Sequence, residues 1–331
     1  MIATEPGPEP APDPIPEPAR KGVVTVLGIF AMDAVCRAPR LPYPGETLIA
    51  EGFALHPGGK GSNQAVGAAR LGAEARLITR IGRDAGADLA RATWAADGVR
   101  AFVGVSDARP TGAAVVFVQT GSGENAIAVH PGAALELSAA DVDAAAQAGA
   151  FAGAGAFLTQ LEQPLEAARR GLERAREAGA LAILNPAPAP ASALPDDLLA
   201  LCDWITPNQT EAATLAGLPA ADSPEQAEAA ARALIARGAR GVAVTLGAQG
   251  ALVCRAGAAS VQVPALAGVA AVDTTGAGDA FAAGFAVALA EGAAPEDAAR
   301  FACAAAGLSV TRHGATTALA TRAEVEARLG G

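Results

Sequence analysis

Aromatic side chains are scarce, 4% of the 331 residues, with one Tyr and two Trp. A core must therefore be built from small and aliphatic side chains packed closely, and at 51% hydrophobic the chain has enough of them to bury one. Cysteine is equally sparse. Cys36, Cys202, Cys254 and Cys303 lie far apart with no C-x-x-C pair, which excludes a disulfide framework and a cysteine zinc site. The three histidines, His56, His130 and His313, have no H-E-x-x-H spacing, so metalloprotease chemistry is not expected. Positive charge is short too: 24 Lys and Arg against 34 Asp and Glu leave a net charge of −10. Nucleic acid needs a basic face, so it is not an expected partner. A small phosphate ligand stays open, because backbone N–H groups can hold it. No basic segment followed by an apolar run opens the chain. The uncharged stretch 144–161 is mostly Ala and Gly and reads as a helix end, a loop and a strand rather than a membrane span. The expectation is a reduced, cytoplasmic protein with no membrane partner.

At about 150 residues per domain, the length suggests two units or one large α/β unit with an appendage. Residues 1–21 stand apart. Pro6, Pro8, Pro10, Pro12, Pro14, Pro16 and Pro18 alternate with other residues, a pattern that forbids helix and reads as a disordered, partly polyproline II tail. From Gly22 onward, short apolar runs recur at Val23–Leu27, Arg76–Ile81, Ala156–Leu161, Leu181–Leu184, Trp204–Thr206 and Val242–Leu246. Helical stretches separate them, at Gln64–Leu71, Ala87–Ala96, Leu165–Ala178, Ser223–Arg237 and Asp279–Ala290. Continuous apolar strands alternating with helices imply a parallel sheet covered on both faces. Two segments break the rhythm. Residues 33–54 and 111–130 read as short strands joined by turns, the second as a hairpin around T-G-S-G-E, and together suggest a small β lid projecting from the main sheet.

Three motifs carry possible chemistry. In His56-Pro57-Gly58-Gly59-Lys60-Gly61-Ser62-Asn63-Gln64, glycines let the backbone approach a ligand and feed a helix N-terminus. No Ser or Thr follows Lys60, so this is not a P-loop, and a plain flexible turn is the alternative. In Asp273-Thr274-Thr275-Gly276-Ala277-Gly278-Asp279, glycines expose N–H groups at a second helix start, where the dipole favours an anionic oxygen. Asp279 is either an ordinary first-turn acid or a base. As a base it need only orient a hydroxyl and take the proton late in a loose phosphoryl-transfer transition state, while Gly276–Gly278 hold the phosphoryl charge. Asn208-Gln209-Thr210-Glu211 ends a strand. Its N-x-x-E spacing suits either water ligands of one Mg²⁺ or a capping box. Thr245-Leu246-Gly247-Ala248-Gln249-Gly250 is a further glycine turn after a strand.

Together these motifs, with Gln160-Leu161-Glu162-Gln163-Pro164 and Leu184-Asn185-Pro186-Ala187-Pro188, resemble the ribokinase-type carbohydrate kinase family from Val23 to Leu329. The resemblance implies a kinase domain over 22–331: a three-layer α/β/α sandwich around a mainly parallel sheet, with a β-sheet lid through which two copies form a homodimer. It implies ATP and Mg²⁺ as cofactors and D-ribose, phosphorylated on O5, as the favoured acceptor. Another sugar, a nucleoside or a non-catalytic sugar sensor are the alternatives. Aromatics near the lid are few (Phe30, Tyr43, Phe53), which speaks against a nucleoside base.

Residue by residue, the resemblance makes Asp279 the base and Gly276, Ala277 and Gly278 the anion hole. Asp33, Gly59, Lys60, Gly61, Ser62, Asn63 and Glu162 would face the sugar. Asn208, Thr245, Leu246, Gly247, Ala248, Gln249, Gly250, Gly278, Asp279 and Cys303 would face the nucleotide. Glu211 would organise Mg²⁺ indirectly. K⁺ would sit on Asp273 and on carbonyls of Thr275, Ser309, Arg312 and Gly314. Two positions depart from the family pattern: Ala31 stands where a sugar-binding Asn is usual, and Ala318 where a Ser often lies near the cation.

Overall fold

A mostly apolar run belongs where both faces of a sheet are covered, and such runs build the centre of this protein. The computed structural model describes residues 22–121, 124–190, 192–219 and 221–330. The proline-rich segment 1–21, read from sequence as a disordered tail, lies outside the described residues. Among the described residues the strands are β1 (Val23–Leu27), β2 (Ala31–Ala38), β3 (Gly52–Gly58), β4 (Glu74–Ile81), β5 (Arg100–Val105), β6 (Gly112–Gln119), β7 (Asn125–His130), β8 (Ala156–Thr159), β9 (Leu181–Leu184), β10 (Trp204–Ile205), β11 (Gly241–Thr245), β12 (Ala251–Arg255) and β13 (Val261–Val263). The α-helices are α1 (Lys60–Arg70), α2 (Ala85–Ala96), α3 (Ala139–Gln147), α4 (Leu165–Glu177), α5 (Asp196–Leu199), α6 (Gln209–Ala216), α7 (Pro224–Ala236), α8 (Ala277–Ala290), α9 (Pro295–Ser309) and α10 (Arg322–Leu329).

The main sheet has the order β13-β12-β11-β10-β9-β8-β1-β4-β5. Pairing is parallel from β5 through β11 and antiparallel only at β12 and β13. Side chains of α1, α2, α8, α9 and α10 form one buried cluster on one face. Those of α3 to α7 form a second cluster on the other. This is a three-layer α/β/α sandwich. No helix among the described residues is long and apolar enough to cross a membrane.

Packing explains how so few aromatics suffice. α8 is buried nearly all round between the sheet and α9. At Gly284 a Cβ would stand 3.0 Å from Ala302 Cα, so the two helices pack backbone to backbone. The rings that are present pack in small groups: at α8 Trp204 meets Phe285 edge-on at 5.2 Å and Phe281 stacks on Phe285 at 5.9 Å, while Phe30 meets Trp94 and Phe151 meets Phe157 elsewhere in the core.

A second, four-stranded sheet has the order β3-β2-β6-β7. Residues 28–30 carry β1 directly into β2, so this sheet rises from the carboxyl ends of the main strands. Its register sets Asp33 opposite His56 and Ala114, and Val35 opposite Val116. Between β2 and β3 the chain is loop, where Pro42 and Pro44 remove ladder donors.

Two helices begin earlier than their apolar periodicity suggests. α1 starts at Lys60, not Gln64, because Gly59 takes φ +85° and turns the chain into the helix. α8 starts at Ala277, not Asp279, behind Gly276 at φ +77°. Both glycine motifs thus contribute their polar residues to first helical turns. α1 also crosses the end of β1 closely: a Cβ on Gly61 would lie 2.5 Å from the Gly28 backbone. Gly61→Ala is expected to cost about 1–3 kcal/mol of stability by overpacking this crossing, measured by denaturant unfolding.

Candidate active site

The tip of α8 is the centre of the site. Gly276 is there because its left-handed backbone and its neighbour both exclude a side chain; a Cβ would stand 3.1 Å from Ala315 Cα. Among the described residues, the backbone N–H groups of Gly276, Gly278 and Asp279 have no backbone partner. The Ala277 N–H does have one: it donates to the Thr274 carbonyl at 3.2 Å. This corrects the expected run Gly276–Gly278, whose middle amide closes a turn. Free amides at a helix N-terminus suit an anionic oxygen.

Asp279 lies in the first turn of α8 and is 4% exposed. Asn63 Nδ2 donates to its Oδ2 and Gln64 Nε2 to its Oδ1, each at 3.0 Å. Asn63 is in turn fixed by Thr316 Oγ1, which donates to Asn63 Oδ1 at 2.6 Å. Behind Gln64 stand Gln160 and Asn185. The sequence motifs contain Gln64, Gln160 and Asn185 but assign them no role. Uncharged and buried, they leave no signal in charge or periodicity.

Three cavities meet at this tip. One of about 550 Å³ lies under the second sheet and is lined by Asp33, His56, Gly59, Lys60, Asn63, Glu162 and Asp279, among others. A second, of about 400 Å³, is walled by Thr245, Gly247, Ala248, Gly250, Leu266, Phe281 and Cys303 and reaches Gly278. A third, of about 200 Å³, joins them and is lined by Lys60, Asn185, Asn208, Glu211, Gly276, Gly278 and Asp279. Thr274 borders all three. Lys60 and Asp279 border the first and third, and Thr245 and Gly278 the second and third. The arrangement can bring two different ligands end to end at one helix tip.

Burial shapes the charges. It pushes the Asp33 carboxyl up to about 6. It pushes Glu162 up to about 7, against the opposing pull of the Lys60 ammonium and of the Lys60 N–H, which donates to Glu162 Oε2 at 3.0 Å. Lys60 is held above the usual lysine value, chiefly by the charge of Asp279, with burial opposing. Burial also raises Glu211, against the Asn208 N–H. Asn208 and Glu211 form a complete capping box: Glu211 N–H donates to Asn208 Oδ1 and Asn208 N–H to Glu211 Oε2, both at 2.8 Å. At Asp273 burial is outweighed by N–H donors from Gly314 and Thr275, so the carboxylate lies below its ordinary value and ties two loops together. Burial raises the Cys303 thiol to about 12, which makes it an inert apolar wall.

Not every candidate faces a cavity. Asp33, Gly59, Lys60, Asn63 and Glu162 converge on the first with Asp279. Gly61 and Ser62 do not. Gly61 packs on Gly28, and Ser62 Oγ accepts from Trp94 Nε1 at 2.9 Å inside the core. An α-helix turns through about 100° per residue, so Lys60, Asn63 and Gln64 share a face from which Ser62 points away. Leu246 and Gln249 are outside the second cavity: Leu246 is buried in the sheet core, and Gln249 is exposed, its carbonyl accepting from Gln262. Asn208 borders the third cavity, not the second. Ser309 and Arg312 line none of the three. The Ser309 carbonyl accepts the Arg312 N–H at 3.2 Å, and the Arg312 guanidinium pairs with Glu324. Among the described residues no group of three or more His, Cys, Asp or Glu is placed to hold a metal by itself.

Comparisons with known proteins give the class to which this arrangement belongs. The chain belongs to the pfkB family of carbohydrate kinases, whose model matches residues 22–322. It is 40% identical over 305 residues to the ribokinase of Haemophilus influenzae, covering 91% of this chain and 96% of that protein. It is 36% identical over 259 residues to the deoxyribokinase of Salmonella typhi, covering 78% and 82%. Its fold matches that of the Arabidopsis thaliana ribokinase complexed with ribose and ATP, with TM-score 0.82 at 32% identity, covering 94% of this chain and 99% of that one. The chain is a ribokinase-like phosphotransferase.

The raised carboxyls predict a pH dependence. Hydroxyls donating to Asp33 and Glu162 favour the ionised forms. Affinity for a polyhydroxylated ligand should therefore be complete above about 7 and fall as pH drops through about 7 and then about 6. KM for the sugar at saturating ATP should rise by up to about tenfold per pH unit between about 7 and 6, and more steeply below about 6 where both carboxyls take up protons, and Glu162→Gln should remove the upper part of the rise. Stability runs the other way. The folded protein binds more protons than the unfolded chain between the ordinary Glu value of 4.5 and about 7. Glu162 therefore contributes stability below 4.5 that is lost as pH rises through about 7, which thermal unfolding of the sugar-free protein will register.

Proposed function

We propose that this protein is an ATP-dependent sugar kinase that transfers the γ-phosphoryl group of ATP to the O5 hydroxyl of D-ribose, giving D-ribose 5-phosphate and ADP. The observation that carries the reading is that one helix tip holds both the Asp279 carboxylate and free backbone amides, at the point where the three cavities meet. The sugar occupies the first cavity, with hydroxyls on Asp33, Glu162 and Asn63. The nucleotide base occupies the apolar second cavity against Cys303 and the turn at Thr245–Gly250, and its phosphates run into the third.

Asp279 orients the hydroxyl and accepts its proton as the new O–P bond forms and the bond from the γ-phosphorus to the bridging oxygen breaks. ADP leaves with that electron pair. The amides of Gly276, Gly278 and Asp279 hold the charge on the transferring oxygens, and the Lys60 ammonium faces them across the third cavity.

The donors around the third cavity are oxygens of Glu211, Asn208 and Asn185, a set suited to a hydrated hard cation. Glu211 would hold Mg²⁺ through water, one carboxylate oxygen being kept in the capping box. When bound, the ion neutralises phosphate charge. A K⁺ ion would rest on Asp273 and neighbouring carbonyls of Thr275, Ser309, Arg312 and Gly314, where the low carboxyl of Asp273 supplies the charge.

The second sheet acts as lid and dimer contact. Its side turned from the cavity leaves Phe53 68%, Leu55 50% and Val115 61% exposed, which fits a second copy of this chain.

One observation favours a second reading. Ala31 is buried at the first cavity and offers a methyl group to the sugar where the family pattern has an amide. A pentose with one hydroxyl fewer, 2-deoxyribose, would lose nothing there. Ala31→Asn should raise the ribose to 2-deoxyribose ratio of kcat/KM about tenfold, in the range expected for one buried hydrogen bond. An unchanged ratio removes this reading.

Asp279→Asn should lower kcat by about 10²–10⁴ with both KM values within a few-fold. Intact turnover would overturn the proposal. Val115→Asp should give a monomer by sedimentation, with a higher sugar KM.

A further inference from the structure

We infer that Gln64 is a positioning residue for Asp279: its amide holds Oδ1, so that Oδ2 is the oxygen presented to the reacting hydroxyl. The inference rests on the reading of Asp279 as proton acceptor and assigns a division of labour within that carboxylate.

The orientation of the Gln64 amide is dictated by a chain of one-way hydrogen bonds. The Thr206 carbonyl can only accept, so Asn185 must give it Nδ2, at 2.7 Å. Asn185 Oδ1 then faces Gln64 and accepts from Nε2 at 3.1 Å. The second proton of that Nε2 goes to Asp279 Oδ1 at 3.0 Å. Gln64 Oε1 is left to accept from Gln160 Nε2. Gln64 and Gln160 are fully buried and Asn185 nearly so, and reversing any one amide would set donor against donor or acceptor against acceptor. Carboxyl ends of three sheet strands, β8, β9 and β10, are thereby read out at one oxygen of one carboxylate on α8.

The two oxygens of Asp279 have different surroundings. Gln64, on Oδ1, borders none of the three cavities. Asn63, on Oδ2, lines the first. Oδ1 is therefore the buried anchor, and Oδ2 lies on the side where a sugar arrives. Losing Gln64 frees the carboxylate to rotate and leaves Asn185 Oδ1 and the Gln160 amide without a partner. A misplacement of this kind acts on the reacting geometry more than on ligand binding.

The test is a double-mutant cycle with steady-state kinetics on the full chain, using ribose, 2-deoxyribose and ATP. Gln64→Leu should lower kcat roughly 10- to 100-fold, with both KM values within about threefold. In the Asp279→Asn background the same change should lower residual kcat less than about threefold, because the group it positions is gone. Equal losses in both backgrounds, or a loss carried wholly by sugar KM, would overturn the inference. Gln64→Glu keeps the shape and guards against a variant that fails to fold. It can donate to Asp279 only when protonated, so its kcat at saturating substrates should rise as pH falls; a kcat equal to that of the unaltered protein at all pH would also overturn it. If Asp279→Asn alone leaves turnover intact, the catalytic reading fails and this inference with it. If Asp279→Asn is inactive and Gln64→Leu is not, only the inference fails.

Discussion

A carboxylate taken almost wholly out of water has to be met by hydrogen-bond donors or lose its charge. In this protein that constraint falls on Asp279, and its donors come from Asn63 and Gln64, more than two hundred residues earlier. Most of the architecture follows from bringing those groups together. α1 has to cross the end of β1 at backbone contact, which is why Gly28 and Gly61 meet there. α8 has to run beside α1 through the middle of its layer, which is why it is buried all round. The long loop before α8 has to be pinned, and Asp273 pins it by accepting N–H groups from Thr275 on one side and Gly314 on the other.

A core so poor in aromatics keeps its density by reducing distances rather than by filling space. The α8–α9 contact at Gly284 and Ala302 is backbone to backbone, and Ala lines both sides. Such a contact leaves little room to relax, so the tip of α8 is carried on a rigid body. That rigidity suits the proposed phosphoryl transfer, in which an aspartate is too weak a base to do more than wait in position: were the tip to shift, the proposed base and the free amides would be displaced together.

The parallel strands β1, β4, β8, β9, β10 and β11 were readable as short apolar runs, and α1 and α7 partly by the glycine that follows them at Leu71-Gly72 and Arg237-Gly238, whereas β5, β12, β13, α5, α6 and α10 were not read. α9 was not read although Glu296, Asp297 and Arg300 mark its polar face, and α3 was read only at its end, because just its last four residues fall in the uncharged stretch 144–161 while Asp141 and Asp143 lie before it. The glycine motifs announced a site but not its sidedness. Ser62 lies between Lys60 and Asn63 in sequence yet points into the core, since the helix begins four residues before apolar periodicity indicates. At Asn208-Gln209-Thr210-Glu211 the two readings, capping box and metal-organising pair, demand the same spacing. The structure realises the capping box and leaves Glu211 on the third cavity as well, so spacing alone had no power to separate them. The amide network of Gln64, Gln160 and Asn185 was beyond reach for a different reason: three uncharged side chains from three segments acquire meaning only when a fold places them in contact.

With a net charge of −10, the chain would meet the polyphosphate of the proposed reaction with like-charge repulsion at its own site. The local chemistry reduces it. Burial raises all three of Asp33, Glu162 and Glu211, and Glu162, pushed up to about 7, carries only part of its negative charge near neutral pH in the unliganded cavity. Asp273, supplied with N–H donors, keeps its charge and lies beside the loop it ties rather than across the joining cavity. The Lys60 ammonium is the lysine at the junction, held protonated by the acids around it. In the proposed complex, a sugar hydroxyl donating to Glu162 would favour its ionised form on the sugar side of the α8 tip. Each ligand thus changes the electrostatic setting for the other across a single helix turn, and the free amides of Gly276 and Gly278 supply a fixed positive end that neither ligand titrates.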